Sequence, residues 1–410
     1  MKILLVNQPL GNRGDEAAHR ALVKTMLSTL PDSQIRVLFL DSNEVWSINS
    51  FNVKDERVKY VNLHSFFGFG KNSIHSFLDK RKLYPWRIHP FARHIFAQYD
   101  WADVVVCAPG GICMGGFQNW DHLFFLKVAE YCKKPLAYYG RSFGPFPTET
   151  QQNKQFKDIS LEMLHYFSYL SIRDGETERL ADELGIPYVS SIDSAFLEKP
   201  CVEIPYEVKH AIGDGHYMVF VPNYLLWHYV YDGKISEDDL IDLYCRMIEE
   251  FWSFNPGLSI VMLPQIFGRG PKEEDLPFFR KIAERMDDKR VIVFPDCYSS
   301  DIQQTIICGS DFVVGARYHS IVFAINQNVP FIALSYEHKI TGLLEKLEKT
   351  DCMMDFSKAV FSEEGRNSCI EEIRRMLPLL QPDSNAQLKA VSIAKNGWDE
   401  FLRFLSATED

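Results

Sequence analysis

Residues 2–30 read KILLVNQPLGNRGDEAAHRALVKTMLSTL. Lys2–Asn7 is an apolar run of strand length, a polar loop with two glycines follows, and Glu16–Leu30 places Ala18, Leu22, Met26 and Leu30 at helical spacing. The same strand–loop–helix unit recurs downstream. Ile35–Leu40, Val58–Leu63, Asp103–Ala108, Leu136–Tyr139 and Tyr169–Ile172 read as strands, with helical stretches such as Asp121–Cys132 and Gln151–His165 between them. Strands alternating with helices predict an α/β fold: a mostly parallel, doubly wound sheet with helices on both faces.

The texture changes near residues 196–215, where Pro200, Pro205, Gly213 and Gly215 favour a linker. A second alternating series follows: strands at Tyr217–Pro222, Leu258–Leu263, Val291–Phe294, Phe312–Val314 and Phe331–Leu334, and helices at Ser236–Phe251, Leu276–Met286, Ile302–Cys308 and Ile321–Gln327. From Ser384 a helix runs to about Leu405, with Asp383 or Ser384 as its cap. The expected organisation is two Rossmann-like domains, residues 1–200 and 201–380, with a closing helix over 381–410. In such sheets ligands sit outside the carboxyl ends of the strands, so two facing domains predict a site in a cleft between them.

Composition removes several function classes. Lys+Arg 44 against Asp+Glu 55 leaves a formal charge of −11, which argues against a nucleic-acid partner, since backbone binding needs a basic surface. The nine cysteines show no CxxC spacing, so neither a disulfide scaffold nor a structural zinc site is expected, and a reducing compartment is. The twelve histidines lack HExxH or other paired-ligand spacing, so no metal is expected. The opening residues lack a signal-peptide pattern and no stretch approaches the length of a membrane-spanning helix. The expected location is therefore the cytoplasm.

Polar residues that could carry chemistry fall just after strands. Gly11-Asn12-Arg13-Gly14-Asp15 joins the first strand to the first helix, where free N–H groups suit an anion and Asp15 could serve as a base or simply cap the helix. Pro109-Gly110-Gly111 permits either a ligand's close approach or a tight turn. Gly140-Arg141-Ser142-Phe143-Gly144-Pro145 and Arg173-Asp174 follow the next strands. An arginine at a strand end fits phosphate or carboxylate, or pairs with a neighbouring acid. The sharpest group is Arg317-Tyr318-His319-Ser320, opening a helix, with Ser335-Tyr336-Glu337-His338-Lys339 after the next strand. A histidine there can change protonation near neutral pH, and Arg317 and Lys339 would gather negative charge around it. No G-x-S-x-G elbow appears, which disfavours a serine hydrolase. The pattern suits a small, multiply charged anion.

Taken in order, these residues resemble the polysaccharide pyruvyl transferase family. The resemblance rests on Asn12-x-Gly14-Asp15, Pro109-Gly110-Gly111, Gly140 to Pro145, Ile172-Arg173-Asp174, Asp193-Ser194-Ala195-Phe196, Pro264-Gln265, Arg317-Tyr318-His319-Ser320, and Ser335-Tyr336-x-x-Lys339 with Gly342. It implies a GT-B-like fold and transfer of the enolpyruvyl carbons of phosphoenolpyruvate to two hydroxyls of a sugar, giving a cyclic ketal and phosphate with no cofactor beyond the donor. On that reading His319 is the general acid/base and Asp15 orients or deprotonates an acceptor hydroxyl. Arg173, Arg317 and Lys339 hold the donor's carboxylate and phosphate, and Asn12, Gly14, Gly110 and Gly111 line the site. Two departures stand out. Arg141 occupies a position commonly uncharged in the family, where it would meet donor phosphate or a charged acceptor, and Asp193-Ser194 replaces the usual Asp-Pro.

Residues 64–101 interleave Phe66, Phe67, Phe69, Phe77, Tyr84 and Trp86 with Lys71, Lys80, Arg81, Lys82, Arg87 and Arg93. That composition fits either a packed subdomain wall or peripheral contact with the membrane's inner face, the latter suiting a lipid-diphosphate-linked sugar acceptor. Two further functions compete: a GT-B nucleotide-sugar glycosyltransferase, with Glu337 gripping ribose, and an inactive carbohydrate-binding scaffold. The charged set Asp15, Arg173, Arg317, His319 and Lys339 argues against the scaffold.

Overall fold

The computed structural model describes residues 1–40, 51–63, 87, 92–228, 230–268, 274–295 and 297–408. The chain divides into two compact units. The first comprises Met1–Leu10, Ala18–Leu197 and Ser392–Asp410, and the second Gly11–Ala17 and Glu198–Val391.

The first unit is built on a seven-stranded sheet of β1 (Lys2–Val6), β2 (Gln34–Phe39), β3 (Val58–Asn62), β4 (Val104–Cys107), β5 (Leu136–Tyr138), β6 (Tyr169–Ile172) and β7 (Val189–Ser190), in the order β3-β2-β1-β4-β5-β6-β7. Every pairing is parallel. The strands are apolar runs because both faces are covered. Leu4, Val6, Val105, Cys107 and Tyr138 join one core cluster, with Phe96, Tyr99, Leu123, Phe156 and Met163 from helices. The alternate residues Ile3, Leu5, Val104, Val106 and Tyr139 join another, with Leu22, Val23, Met26, Trp398, Phe401 and Leu405.

The second unit carries a six-stranded parallel sheet of β8 (Tyr217–Val221), β9 (Ser259–Met262), β10 (Val291–Val293), β11 (Val313–Gly315), β12 (Phe331–Ser335) and β13 (Met353–Asp355), ordered β10-β9-β8-β11-β12-β13. Ser236 caps helix Glu237–Phe254 by accepting from the Asp239 N–H. Asp383 caps helix Ser384–Ala407 through the N–H groups of Asn385 and Ala386. In each sheet the strand order reverses once, between β1 and β4 and between β8 and β11, and the loops leaving those strands are where a doubly wound sheet binds ligands.

The units differ from the sequence partition at two places. Residues 11–17 group with the second unit because their backbone bonds go there: Arg13 N–H donates to the Gln265 carbonyl at 2.8 Å and Phe267 N–H to Gly11 at 3.0 Å. The end of the C-terminal helix is part of the first unit's core, with the Tyr169 hydroxyl bonded to the Gly397 carbonyl at 2.9 Å, rather than an element of its own. Of the aromatic, basic segment 64–101, residues 64–86 and 88–91 lie outside the described residues. Phe96 and Tyr99, on helix Arg93–Trp101, are buried in the first unit's core. No helix among the described residues is long and apolar enough to cross a membrane.

Candidate active site

The Arg317-Tyr318-His319-Ser320 turn depends on a missing side chain. A Cβ on Gly315 would sit 2.1 Å from Ser320 Oγ, so only glycine lets that hydroxyl fold back and donate to the Arg317 carbonyl at 2.6 Å. The bond ends β11 and starts helix Tyr318–Gln327 with Arg317 at its N-cap. His319 therefore lies in the first turn, where the helix dipole favours negative charge. Its ring sits edge-on to Tyr318, centroids 4.9 Å apart, and tilted against Phe323 at 6.3 Å.

Gly14 meets the same ring. A Cβ there would fall 1.8 Å from His319 Cγ and Nδ1, so the glycine backbone approaches the imidazole more closely than any side chain would allow. The approach is fixed by the loop before it. Asn12 pairs antiparallel with Ile266 and accepts the Gly14 N–H on Oδ1 at 2.8 Å, while the Arg13 guanidinium lies 4.2 Å from the Phe267 ring centre. Glu16, fully buried, accepts from Arg13 at 2.5 Å and from Ser300 N–H and Oγ at 2.9 and 3.0 Å. Gly14 is thus brought to His319, with Asn12 and Asp15 flanking it in the same loop. Asp15 is 7% exposed, and its carboxylate accepts no hydrogen bond among the described residues.

Arg317 is not a free cation. Its Nε and Nη2 both donate to Asp275 Oδ1, in an ion pair whose carboxylate is fully buried. Burial disfavours the Arg317 cation, but the charge of Asp275, then Tyr336, the hydrogen bond to Asp275 and Tyr244, together outweigh it and hold the guanidinium's pKa above its ordinary value. The guanidinium also lies 6.0 Å from the Trp227 ring, which the loop after β8 supplies, so Arg317 spans the point of strand reversal. Lys339, after β12, pairs with Glu337 at 3.4 Å. Burial would push the Glu337 carboxyl up, but Lys339, His338 and His228 with the Tyr336 hydroxyl (3.1 Å) pull it below the usual range.

The other expected residues lie in the first unit. Arg173 donates to Asp193 at 2.6 Å, and Asp193 also takes the Ala195 N–H, so the Asp193-Ser194 motif compensates that arginine's charge. Arg141, expected to meet phosphate or a charged acceptor, is 1% exposed and is an interior group. It donates to the carbonyls of Ala108 (2.7 Å), Asn7 (3.1 Å) and Gly111 (3.3 Å) and to Cys113 Sγ (3.0 Å). A Cβ on Gly110 would press on that guanidinium at 3.1 Å. Gly110 and Gly111 thus wrap Arg141. Among the described residues no group of His, Cys, Asp or Glu is arranged to hold a metal.

The sequence profile of polysaccharide pyruvyl transferases matches residues 12–338, a span that opens on the Asn12 loop and includes His319. The chain belongs to the polysaccharide pyruvyl transferase family. The amylovoran biosynthesis protein AmsJ of Erwinia amylovora is 23% identical over 394 residues, covering 85% of this chain and 86% of that one. Solved structures share the fold. A UDP-N-acetylglucosamine 2-epimerase superposes with a TM-score of 0.59 at 12% identity, covering 99% of this chain and 96% of that one. The UDP-GlcNAc 2-epimerase of Neisseria meningitidis bound to UDP-GlcNAc gives 0.57 at 14%, covering 99% and 100%, and TcCGT1 in complex with UDP gives 0.58 at 11%, covering 100% and 98%. The shared fold is GT-B, with two α/β units. As a pyruvyl transferase the chain is an enzyme of polysaccharide biosynthesis, and two acids of the candidate site escape sequence reading. Asp275 stands 42 positions from Arg317, and Glu16 reads as an ordinary first-turn acid of helix Arg13–Thr29.

Proposed function

We propose that this pyruvyl transferase takes its three carbons from phosphoenolpyruvate and bridges two hydroxyls of one sugar, in a surface polysaccharide or its lipid-linked precursor, as a cyclic ketal. Carbon 3 of the donor gains a proton and carbon 2 becomes electrophilic. One hydroxyl oxygen bonds to carbon 2, the carbon–oxygen bond to phosphate breaks, and the second hydroxyl closes the ring. Of the two hydroxyl protons, the equivalent of one ends on carbon 3 and the other leaves with phosphate. His319 is assigned the proton transfers, and Asp15 the acceptor hydroxyl. Arg317 and Lys339 bind the donor's charge through the donors left over from Asp275 and Glu337, with the helix N-terminus assisting. Arg173 is retained as a donor-side residue in its paired form. We place the reaction in the cytoplasm, where such a donor is made, with membrane contact left to the acceptor's lipid.

The observation that carries this reading is the backbone of Gly14 lying on the His319 ring, which brings the Asn12-x-Gly14-Asp15 loop and the Arg317-Tyr318-His319-Ser320 turn into one site. Incubation with phosphoenolpyruvate and a panel of lipid-linked or nitrophenyl hexosides, read by phosphate release and product mass, tests it. Wild type is expected to form a ketal and His319→Ala to lose turnover. Near-normal release by His319→Ala removes the central assignment.

The second reading, a nucleotide-sugar glycosyltransferase, is favoured by the epimerase and TcCGT1 structures that hold UDP-GlcNAc and UDP. Against it, Glu337 is already engaged by Tyr336 and Lys339. A thermal-shift comparison separates the two, since a ligand that binds the native state raises its melting temperature: phosphoenolpyruvate is expected to do so and UDP- or GDP-sugars not.

A further inference from the structure

We infer that Asp275 is a positioning residue of the pyruvyl transfer site, coupling Arg317 to the loop that lays Gly14 on His319. It opens helix Asp275–Met286, and its carboxylate is fully buried and met from two sides. Oδ1 takes Nε and Nη2 of Arg317, while Oδ2 takes the N–H groups of Gln265 at 2.9 Å and Ile266 at 3.0 Å. Its own N–H returns to the Ile266 carbonyl at 3.2 Å.

Each partner leads to the imidazole by a short route. Arg317 is the N-cap of the helix that carries His319. Ile266 pairs with Asn12, the Gln265 carbonyl receives the Arg13 N–H at 2.8 Å, and Phe267 N–H reaches Gly11 at 3.0 Å, so residues 265–267 hold residues 11–13 as a short ladder. Gly14 comes next and touches the ring. The circuit closes: His319, Arg317, Asp275, the 265–267 turn, the 11–13 loop, Gly14, and His319 again. A single carboxylate in its middle fixes both sides of the imidazole.

A purely structural ion pair could be replaced by apolar groups at little cost, whereas removing one partner strands the other. At Asp275 the stranded groups are Arg317 and the two amides that hold the loop. Asp275→Asn keeps the shape and one acceptor oxygen but cannot satisfy a guanidinium and two amides together. The ring is then free to shift relative to the loop, and a displacement near 1 Å costs about 100-fold in rate.

The role rests on the pyruvyl transfer reading, and the test keeps the two apart. Full-length wild type, Asp275→Asn and Asp275→Glu are compared by kcat and KM for phosphoenolpyruvate, and by the imidazole resonances of the ligand-free protein labelled with 15N-histidine. The His319 signal is identified by its absence in His319→Gln. Expected are a fall of about 100-fold in kcat for Asp275→Asn, a smaller change in KM, a shifted His319 resonance, and partial recovery in Asp275→Glu. Unchanged kcat with an unmoved resonance overturns the inference. So does a lowered melting temperature with kcat per folded molecule intact, which is what a merely structural acid gives. If Asp275→Asn does not fold, Asp275→Glu carries the same comparison. If wild type turns over no phosphoenolpyruvate while the resonance still shifts, the positioning geometry stands and the functional reading falls.

Discussion

Gly14→Ala adds one methyl group where the structure leaves no room. Its Cβ would lie 1.8 Å from His319 Cγ and Nδ1, and ordinary contact begins near 3.4 Å, so ring and loop must part by about 1.6 Å. Two effects compete in stability. Alanine in mid-helix gains about 0.5–1 kcal/mol over glycine, and at Gly14, the second residue of helix Arg13–Thr29, the gain is smaller. Overpacking a filled site costs about 1–3 kcal/mol, so the clash wins and a modest net loss is expected. Function suffers more. A 1 Å misplacement of a reacting group costs about 100-fold, so turnover should fall by about 100-fold or more while the protein remains folded at assay temperature. The assay is phosphate release from phosphoenolpyruvate beside a thermal melt, with Gly116→Ala as control because nothing lies within 4 Å of its Cβ. Near wild-type turnover in Gly14→Ala, with Gly116→Ala also active, would refute the idea that this loop sets the imidazole's place.

Further outcomes concern stability. His19 is fully buried beside the Tyr60 hydroxyl at 3.1 Å, and burial, then the charge of Arg20, pushes its imidazole down to about 3. Between the ordinary value of 6.5 and about 3 the unfolded chain binds the proton and the folded one does not, so stability falls as pH drops through this window, at up to about 1.4 kcal/mol per pH unit. His19→Phe should flatten that acid limb in urea titrations between pH 6.5 and 4; an unchanged slope would show that His19 does not stay neutral. Glu16→Gln removes the buried charge that faces Arg13 and an acceptor of Ser300, and should lower the unfolding free energy by about 3–5 kcal/mol. Breaking the exposed Arg285–Asp238 pair should leave the unfolding midpoint essentially unmoved. Equal effects of the two changes would contradict the burial argument.

The sheets were legible where strands are apolar on both faces. Lys2–Val6 and Tyr217–Val221 announce themselves because each alternate residue enters a core. Val189–Ser190 and Met353–Asp355 escape notice because two or three residues with exposed members carry no period. At the site, the Arg317-Tyr318-His319-Ser320 turn is readable because its geometry is local: Gly315, Arg317 and Ser320 make it among themselves. The state of its arginine is not readable. Nothing near Arg317 in the chain says that Asp275 compensates it, or that Asp193 does so for Arg173, since a buried charge finds its partner through the fold and not through spacing. Arg141 shows the reverse case. A cation among glycines suggests a ligand, yet burial gives its donors to backbone carbonyls.

The contribution of Trp398, Phe401 and Leu405 to the first unit's interior has a consequence for biosynthesis. As the chain leaves the ribosome, its N-terminal sheet is complete by residue 190, but Leu22, Val23 and Met26 give only part of the apolar cover for Ile3, Leu5 and Val104, and Trp398, Phe401 and Leu405 are made after the second unit. The early sheet must wait with one apolar flank only part-covered while the second unit is translated, an interval in which exposed apolar surface makes chains prone to stick to one another. Truncation before Trp398 would therefore injure the first unit rather than the second, a dependence that rewards a chaperone able to hold that flank until this helix has emerged.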